Sequence, residues 1–403
     1  MYVSAVGKST IAFIASHALW RDVLETETLL SRGSDDPDQK YGHDIPSILS
    51  ENRRGKIVII SADRLKDSES RRAVEQFAQF AGPVIHISRS RALSFKYLRA
   101  GNRMMDSELQ VLDEDWSSTE ASLMEMCTAS FVNLNCLSAE DIYPPAYRPW
   151  EDMCPKSNIA RPNGAHRVMS HMKRLEMDFI RLMRFVLGVY TNHVPMTAFR
   201  TYLLSLTYSD VSQAVPHIEN LSIGVDCWEL RVDLLAERSV ESIAYQIALL
   251  RRHSDLPVYL TMRTRSQTGG LPDIKDDPQM IPYQQAVLSL GLKMGVEYVD
   301  VNITSPPETI ASLVRNKGNS QIIISWHDMA GRVSWSGPEV RSIFDHACRE
   351  GADIVMMIGY ARDFQDNLSL RAFVQEMHSK HVPLIALNTG PEVSAKCRLD
   401  CEF

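Results

Sequence analysis

After residue 200 the chain alternates between two periodicities. Short apolar runs lie at 202–206, 227–232, 258–261, 298–301, 322–326, 353–357 and 384–388. Between them, at 239–252, 283–292, 308–316, 338–350 and 368–380, apolar positions recur three and four residues apart. A run of four to six apolar residues predicts a strand covered on both faces, and the 3.6-residue period predicts a helix. Strand and helix repeated in this way predict an α/β fold with a parallel sheet of the (β/α)8 type. Only seven strands are legible, one short of closure, so the expectation is a barrel truncated to seven strands. Strands 202–206 and 384–388 would then be its open edges, an aggregation hazard.

The first 200 residues are less regular. A helix pattern follows Lys8-Ser9-Thr10 through Ile11, Phe13, Ile14 and Leu19. Apolar strands are expected at 56–60 and 83–87, with a helix at 71–80 between them. From 138 to 164, Pro144, Pro145, Pro149, Pro155 and Pro162 interrupt any regular element. A helix then runs over about 166–189, with Val168, Met172, Leu175, Phe179, Leu182 and Phe185 on one face. The expected organisation is a small α/β domain over 1–137, a Pro-rich linker and connecting helix over 138–197, and the barrel over 198–403.

Composition narrows the function classes. A chain of 403 residues with 44% hydrophobic and 23% charged residues is ordinary for globular domains. Its net charge of −7 provides no broad attraction for nucleic acid or anionic membrane, so direct binding to either is not expected. No apolar stretch reaches the roughly 20 residues of a bilayer span, and the opening residues lack the form of a secretory leader. The seven cysteines are scattered, with no CxxC pair and no Cys/His metal spacing. Reduced thiols in a cytoplasmic or nuclear setting, with neither metal nor cofactor, are expected.

Candidate chemistry collects at the strand ends. In the second strand, Cys227-Trp228-Glu229-Leu230-Arg231-Val232-Asp233, alternation puts Glu229, Arg231 and Asp233 on one face. Three charges facing a barrel interior fit either a buried ion-pair cluster or a ligand site. The third strand ends in Arg263-Thr264-Arg265-Ser266-Gln267 followed by Gly269-Gly270, the fifth in His327-Asp328, and the sixth in Ile354-Val355-Met356. At the front, Gly7-Lys8-Ser9 ahead of a helix has the form of the second half of a P-loop, whose amides and lysine cradle phosphate. The glycine required five residues earlier is Tyr2, so phosphate binding by Gly7, Lys8 and Ser9 is degenerate.

These runs carry a family resemblance. Glu-x-Arg-x-Asp, Arg-Thr-x-Ser-Gln with its glycines, His-Asp and Gly351-Ala352-Asp353-Ile354-Val355 are similar, in order, to type I 3-dehydroquinate dehydratases. The stretches 202–211 and 317–320 look like the dehydratase portion of fungal AROM polypeptides. The front segment resembles the shikimate-kinase-like domain that precedes it there, in degenerate form.

The resemblance implies that His327 is the general acid and base, and that Glu229, Arg231, Arg263 and Gln267 hold the ligand's hydroxyls and carboxylate. It also implies a lysine that forms a Schiff base with the ketone, and that lysine falls on Met356, which has no amine. The arginine of the family's Asn-x-Gly-x-x-Gly-x-x-Ser-Arg motif falls on Cys397. A lysine-less dehydratase-like domain behind a degenerate kinase-like domain is similar to the fungal quinate repressor family. That resemblance implies a non-catalytic sensor of quinate, shikimate or a dehydroquinate-like molecule, acting on a transcriptional activator protein. The alternative is an active dehydratase that converts 3-dehydroquinate to 3-dehydroshikimate.

Overall fold

The computed structural model describes residues 7–26, 44–51, 55–100, 105–134, 165–189 and 201–390. The chain divides into two compact units, Met1–Met183 and Arg184–Phe403, with the division inside the helix Ala165–Val186. Most of the linker expected over 138–197 lies outside the described residues.

The described residues of the first unit form two small parallel sheets. Strand β1 (Asp22–Glu25) pairs with β2 (Lys56–Ile59), and β3 (Ile85–Ser88) pairs with β4 (Ala129–Val132). The helices Lys8–Leu19 and Ser68–Phe80 fall where the apolar period places them. Asp67 caps the second of these by accepting from the Ser70 amide at 2.7 Å. Strands β1 and β4 and the helices Arg91–Ala100 and Asp106–Met126 were not legible in advance. The Asp106–Met126 helix is rich in acidic and hydroxyl residues, and among its described side chains Leu109, Leu112, Trp116 and Met126 anchor it by burial.

The second unit is a single curled sheet of seven parallel strands in sequential order. They are β5 (Leu203–Leu206), β6 (Cys227–Arg231), β7 (Val258–Thr261), β8 (Tyr298–Asn302), β9 (Gln321–His327), β10 (Ile354–Tyr360) and β11 (Leu384–Thr389). Helices Val240–His253, Met280–Lys293, Pro307–Asn316, Pro338–Arg349 and Phe364–Met377 connect the later strands. Among the described residues β5 and β11 each pair on one side only, the expected seven-stranded open form.

Period-2 alternation divides the side chains between two layers. Cys227, Tyr259, Tyr298, Ile323, Ile354, Met356, Ile358 and Ile385 pack together on the inner face. Trp228, Leu230, Val299, Ile322, Ile324 and Met357, out of phase with them, are also fully buried. With both faces covered, strands survive as continuous apolar runs, which is why they were visible in the sequence.

Beyond β9, Trp335 packs against β10, β11 and the helix Phe364–Met377. It is 3% exposed, stacks 5.4 Å from Phe373, and donates through Nε1 to Asn388 Oδ1 at 2.7 Å. Trp335→Ala should cost about 3–5 kcal/mol, the usual loss for a buried aromatic, and also strands the Asn388 acceptor. Urea denaturation followed by far-UV circular dichroism measures it. A loss under about 1 kcal/mol would mean the site collapses onto the gap.

Candidate functional site

The inner face turns polar toward the carboxyl ends of the strands. Glu229 and Arg231 on β6 point the same way as Cys227, one and two steps further up the pleat. Arg263, two residues past β7, reaches back so that its Nη2 donates to Glu229 Oε1 at 2.6 Å. Ser205 on β5 donates its hydroxyl to the other Glu229 oxygen. Burial pushes the Glu229 carboxyl above its ordinary range, and the Arg263 charge opposes that shift.

Arg231 is engaged by its own neighbour. Its Nε and Nη2 donate to the two Asp233 oxygens at 2.8 and 2.6 Å, a bidentate fork. Asp233 lies in the short turn Val232–Leu234 and also accepts from the Gly270 amide at 3.1 Å. Burial by itself would raise the Asp233 carboxyl, but the Arg231 fork and the Gly270 and Arg263 amides hold it below the usual range. The three charges of the second strand thus form ion pairs, one within β6 and its turn and one with Arg263.

The Arg263–Gly270 loop is folded tightly on itself. A Cβ on Gly269 would lie 2.1 Å from the Arg263 carbonyl oxygen, and one on Gly270 would lie 2.8 Å from the Asp233 carbonyl oxygen. Only glycine fits such backbone contacts, which accounts for the pair in the motif. Within the loop the Thr264 amide donates to Gln267 Oε1 at 2.9 Å, and Gln267 Nε2 lies 3.2 Å from His327 Nδ1. The Gln267 side chain, expected against a ligand, is therefore engaged at both ends within the protein.

His327 is the last residue of β9, paired in register with Ile358 of β10. Its Nε2 is buried and has no hydrogen-bond partner among the described residues. Burial lowers its pKa from 6.5 to about 3, with the Arg263 and Arg231 charges adding to the effect. The ring is consequently neutral across the physiological range. Asp328 turns away and accepts from the Ala330 and Val333 amides at 3.3 and 2.7 Å.

Met356 is not at the strand end. The strand expected to stop at 356–357 continues to Tyr360, because the apolar run persists and pairs with both β9 and β11. The methionine is 5% exposed, flanked in register by Ser325 and Ile385, and its sulfur lies 3.6 Å from the Tyr259 hydroxyl. Asp300 on β8, which the sequence reading missed, is buried on the same face and accepts from Thr261 Oγ1 at 2.6 Å. Burial raises its carboxyl. A lone aspartate in an otherwise apolar strand, two residues after Tyr298, was the available signal.

In the first unit, Lys8 Nζ donates to Ser61 Oγ at 2.6 Å and Ser9 Oγ donates to Glu25 Oε1 at 3.0 Å. Gly7, with φ of 88°, starts the helix and lies so close to Asn133 Nδ2 that a Cβ would meet it at 2.8 Å. Tyr2 and Cys397 lie outside the described residues. Among the described residues no group of His, Cys, Asp and Glu is gathered to hold a metal ion, and no helix is long and apolar enough to cross a membrane.

Residues 202–392 match the family model described as Type I 3-dehydroquinase. The chain is 30% identical over 394 residues to the pentafunctional AROM polypeptide of Candida tropicalis, covering 96% of this chain and 23% of that polypeptide. It is 35% identical over 221 residues to the corresponding polypeptide of Scheffersomyces stipitis, covering 55% of this chain and 14% of that one. A solved structure of dehydroquinate dehydratase and shikimate dehydrogenase from S. pombe AroM is 32% identical, covers 48% of this chain and 37% of its own, and superposes with a TM-score of 0.45. The chain thus carries a type I dehydroquinase-like domain, is homologous to AROM polypeptides, and spans under a quarter of the length of these two relatives.

Proposed function

We propose that the dehydroquinase-like domain is a ligand sensor without dehydratase activity, and that the chain represses quinate utilisation by contacting a transcriptional activator protein. The observation that carries the first half is Met356. Schiff-base chemistry needs a primary amine at that position, because an iminium withdraws the electron pair left when the adjacent proton departs. A thioether beside the Tyr259 hydroxyl supplies neither nucleophile nor charge. The second half rests on the resemblance to the fungal quinate repressor family, and a nuclear or cytoplasmic setting is proposed with it.

The residues around Met356 support retained binding. Arg263 brings a cation to the inner face, His327 brings an uncharged ring, and Glu229 is held by Arg263 and Ser205. A polyhydroxylated carboxylate or ketone of the quinate pathway suits that mixture of one cation and several hydrogen-bonding groups. The retained His327, Arg263 and Gln267 favour the second reading, a working dehydratase, but none of them replaces the amine.

Calorimetric titration with 3-dehydroquinate, quinate and shikimate tests the proposal. At least one should bind with a dissociation constant in the micromolar to millimolar range, about −8 to −4 kcal/mol. The dehydration product, followed by its ultraviolet absorbance, should not accumulate. Well-folded protein that gives no heat with any of the three would remove the sensor, and turnover would establish the enzyme.

A further inference from the structure

We infer that Gln267 fixes the tautomer of His327, holding Nδ1 as an acceptor so that Nε2–H is presented to the site as a hydrogen-bond donor. The argument starts from the backbone. The Thr264 amide can only donate, so the Gln267 atom that it meets at 2.9 Å is the carbonyl oxygen Oε1. With the oxygen so placed, the NH2 end faces His327 Nδ1 at 3.2 Å. An amide nitrogen offers no lone pair, so Nδ1 must supply one, and the ring hydrogen resides on Nε2.

The Gln267 end of this relay is well anchored. Gln267 is 3% exposed and closes the short turn Arg265–Gln267. Thr264 is held in turn by its hydroxyl, which donates to Asp273 Oδ1 at 2.6 Å. Rotating the amide by 180° would set N–H against the Thr264 N–H and leave two buried donors opposed. Protonating the ring would do the same at Nδ1, which agrees with its depressed pKa of about 3.

Nε2–H is buried and has no partner among the described residues. A buried donor left unmade is costly, and a ligand that satisfies it recovers that cost. This site therefore selects an oxygen acceptor at His327: a carbonyl, a carboxylate or a hydroxyl acting through its lone pairs. Nε2 in this state cannot take up a proton, so His327 serves as a ligand contact and Gln267 as its positioning residue. The ligand half of this inference rests on the proposed sensor, whereas the tautomer stands without it.

Long-range 1H–15N correlation spectra of histidine-labelled full-length chain, with His327→Gln to assign the signal, test it. Between about pH 5 and 8 the wild type should show a protonated Nε2 and an unprotonated Nδ1. Gln267→Glu places a carboxylate that still accepts from Thr264 but now also accepts from the ring. The two nitrogens should then exchange roles, and any 3-dehydroquinate affinity should fall about tenfold or more. A wild-type ring protonated on Nδ1 or doubly protonated at neutral pH overturns the inference, as does an unchanged pattern in folded Gln267→Glu. If that variant fails to fold, the wild-type spectrum decides alone. The expected tautomer without any response to 3-dehydroquinate, quinate or shikimate upholds Gln267 as the positioning residue and overturns the sensor.

Discussion

Incubating the chain with 3-dehydroquinate and borohydride should leave its intact mass unchanged. Borohydride reduces an imine to a stable secondary amine, so a Schiff-base enzyme gains a covalent adduct. Every lysine of the second unit's described residues is elsewhere. Lys293 ends the helix Met280–Lys293, and Lys317 is held by both Asp353 oxygens at 2.5 and 2.7 Å. Lys275 and Lys380 are exposed. The inner face around Met356 contains Tyr259, Ile323, Ile354, Ile358 and Ile385, none of them a nucleophile for a ketone. Arg263, the cation paired with Glu229 on this face, remains protonated and forms no imine. An adduct mapped by peptide mass spectrometry to any lysine of the wild-type chain would reverse the proposed function in favour of the dehydratase.

Arg263→Ala should be the most damaging single change on the inner face. It would leave Glu229, whose side chain is 6% exposed, without its cation, and breaking one side of a buried pair costs about 3–5 kcal/mol. The loss should depend on pH in a defined direction. Glu229 is already raised by burial, and removing the opposing Arg263 charge raises it further. A carboxyl whose folded pKa lies above its unfolded value favours the folded state at low pH, and that contribution disappears as pH rises through the folded pKa. The deficit relative to wild type should therefore be largest at about pH 8 and shrink toward pH 5. Adding Glu229→Gln should recover part of it at about pH 8. Urea denaturation of the three proteins at both pH values measures these effects. A deficit independent of pH would show that lost packing of the Arg263 stem, and not the stranded charge, is responsible. Ligand affinity in the same variant should fall about tenfold or more, since a charge-assisted contact is lost.

The two small sheets of the first unit and the seven-stranded sheet of the second differ in how much of them could be read beforehand. Strands β5 to β11 were legible because helices cover one face and the inner cluster covers the other, which demands unbroken apolar runs of the kind seen at Ile322–Ile324 and Ile354–Ile358. Strand β4, Ala129-Ser130-Phe131-Val132, is just as buried but contains a small and a polar residue, so its sequence carries no comparable signal. Strand β10 overran its expected end because pairing on both sides, with β9 and β11, stabilises Ile358, Gly359 and Tyr360 in the sheet. Local pattern contains no information about such neighbours.

The site divides along the same line. Residue identity by itself determined that position 356 has no amine, and the strand period that Glu229 and Arg231 share a face of β6; Asp233, expected on that face with them, falls instead in the turn Val232–Leu234, where the strand has already ended. The first is a matter of covalent chemistry and the second of the two-residue period of a strand. Which charges pair was decided only by the fold. Arg231 turns to Asp233, Arg263 crosses from β7 to Glu229, and Gln267 spends both ends of its amide on Thr264 and His327. Asp300 became part of the site only when β8 was laid between β7 and β9, bringing it to Thr261. Hydrogen bonds and ion pairs between residues 30 to 60 positions apart depend on strand order and register, and these are set by the hydrophobic burial of the whole sheet and not by the residues that end up touching.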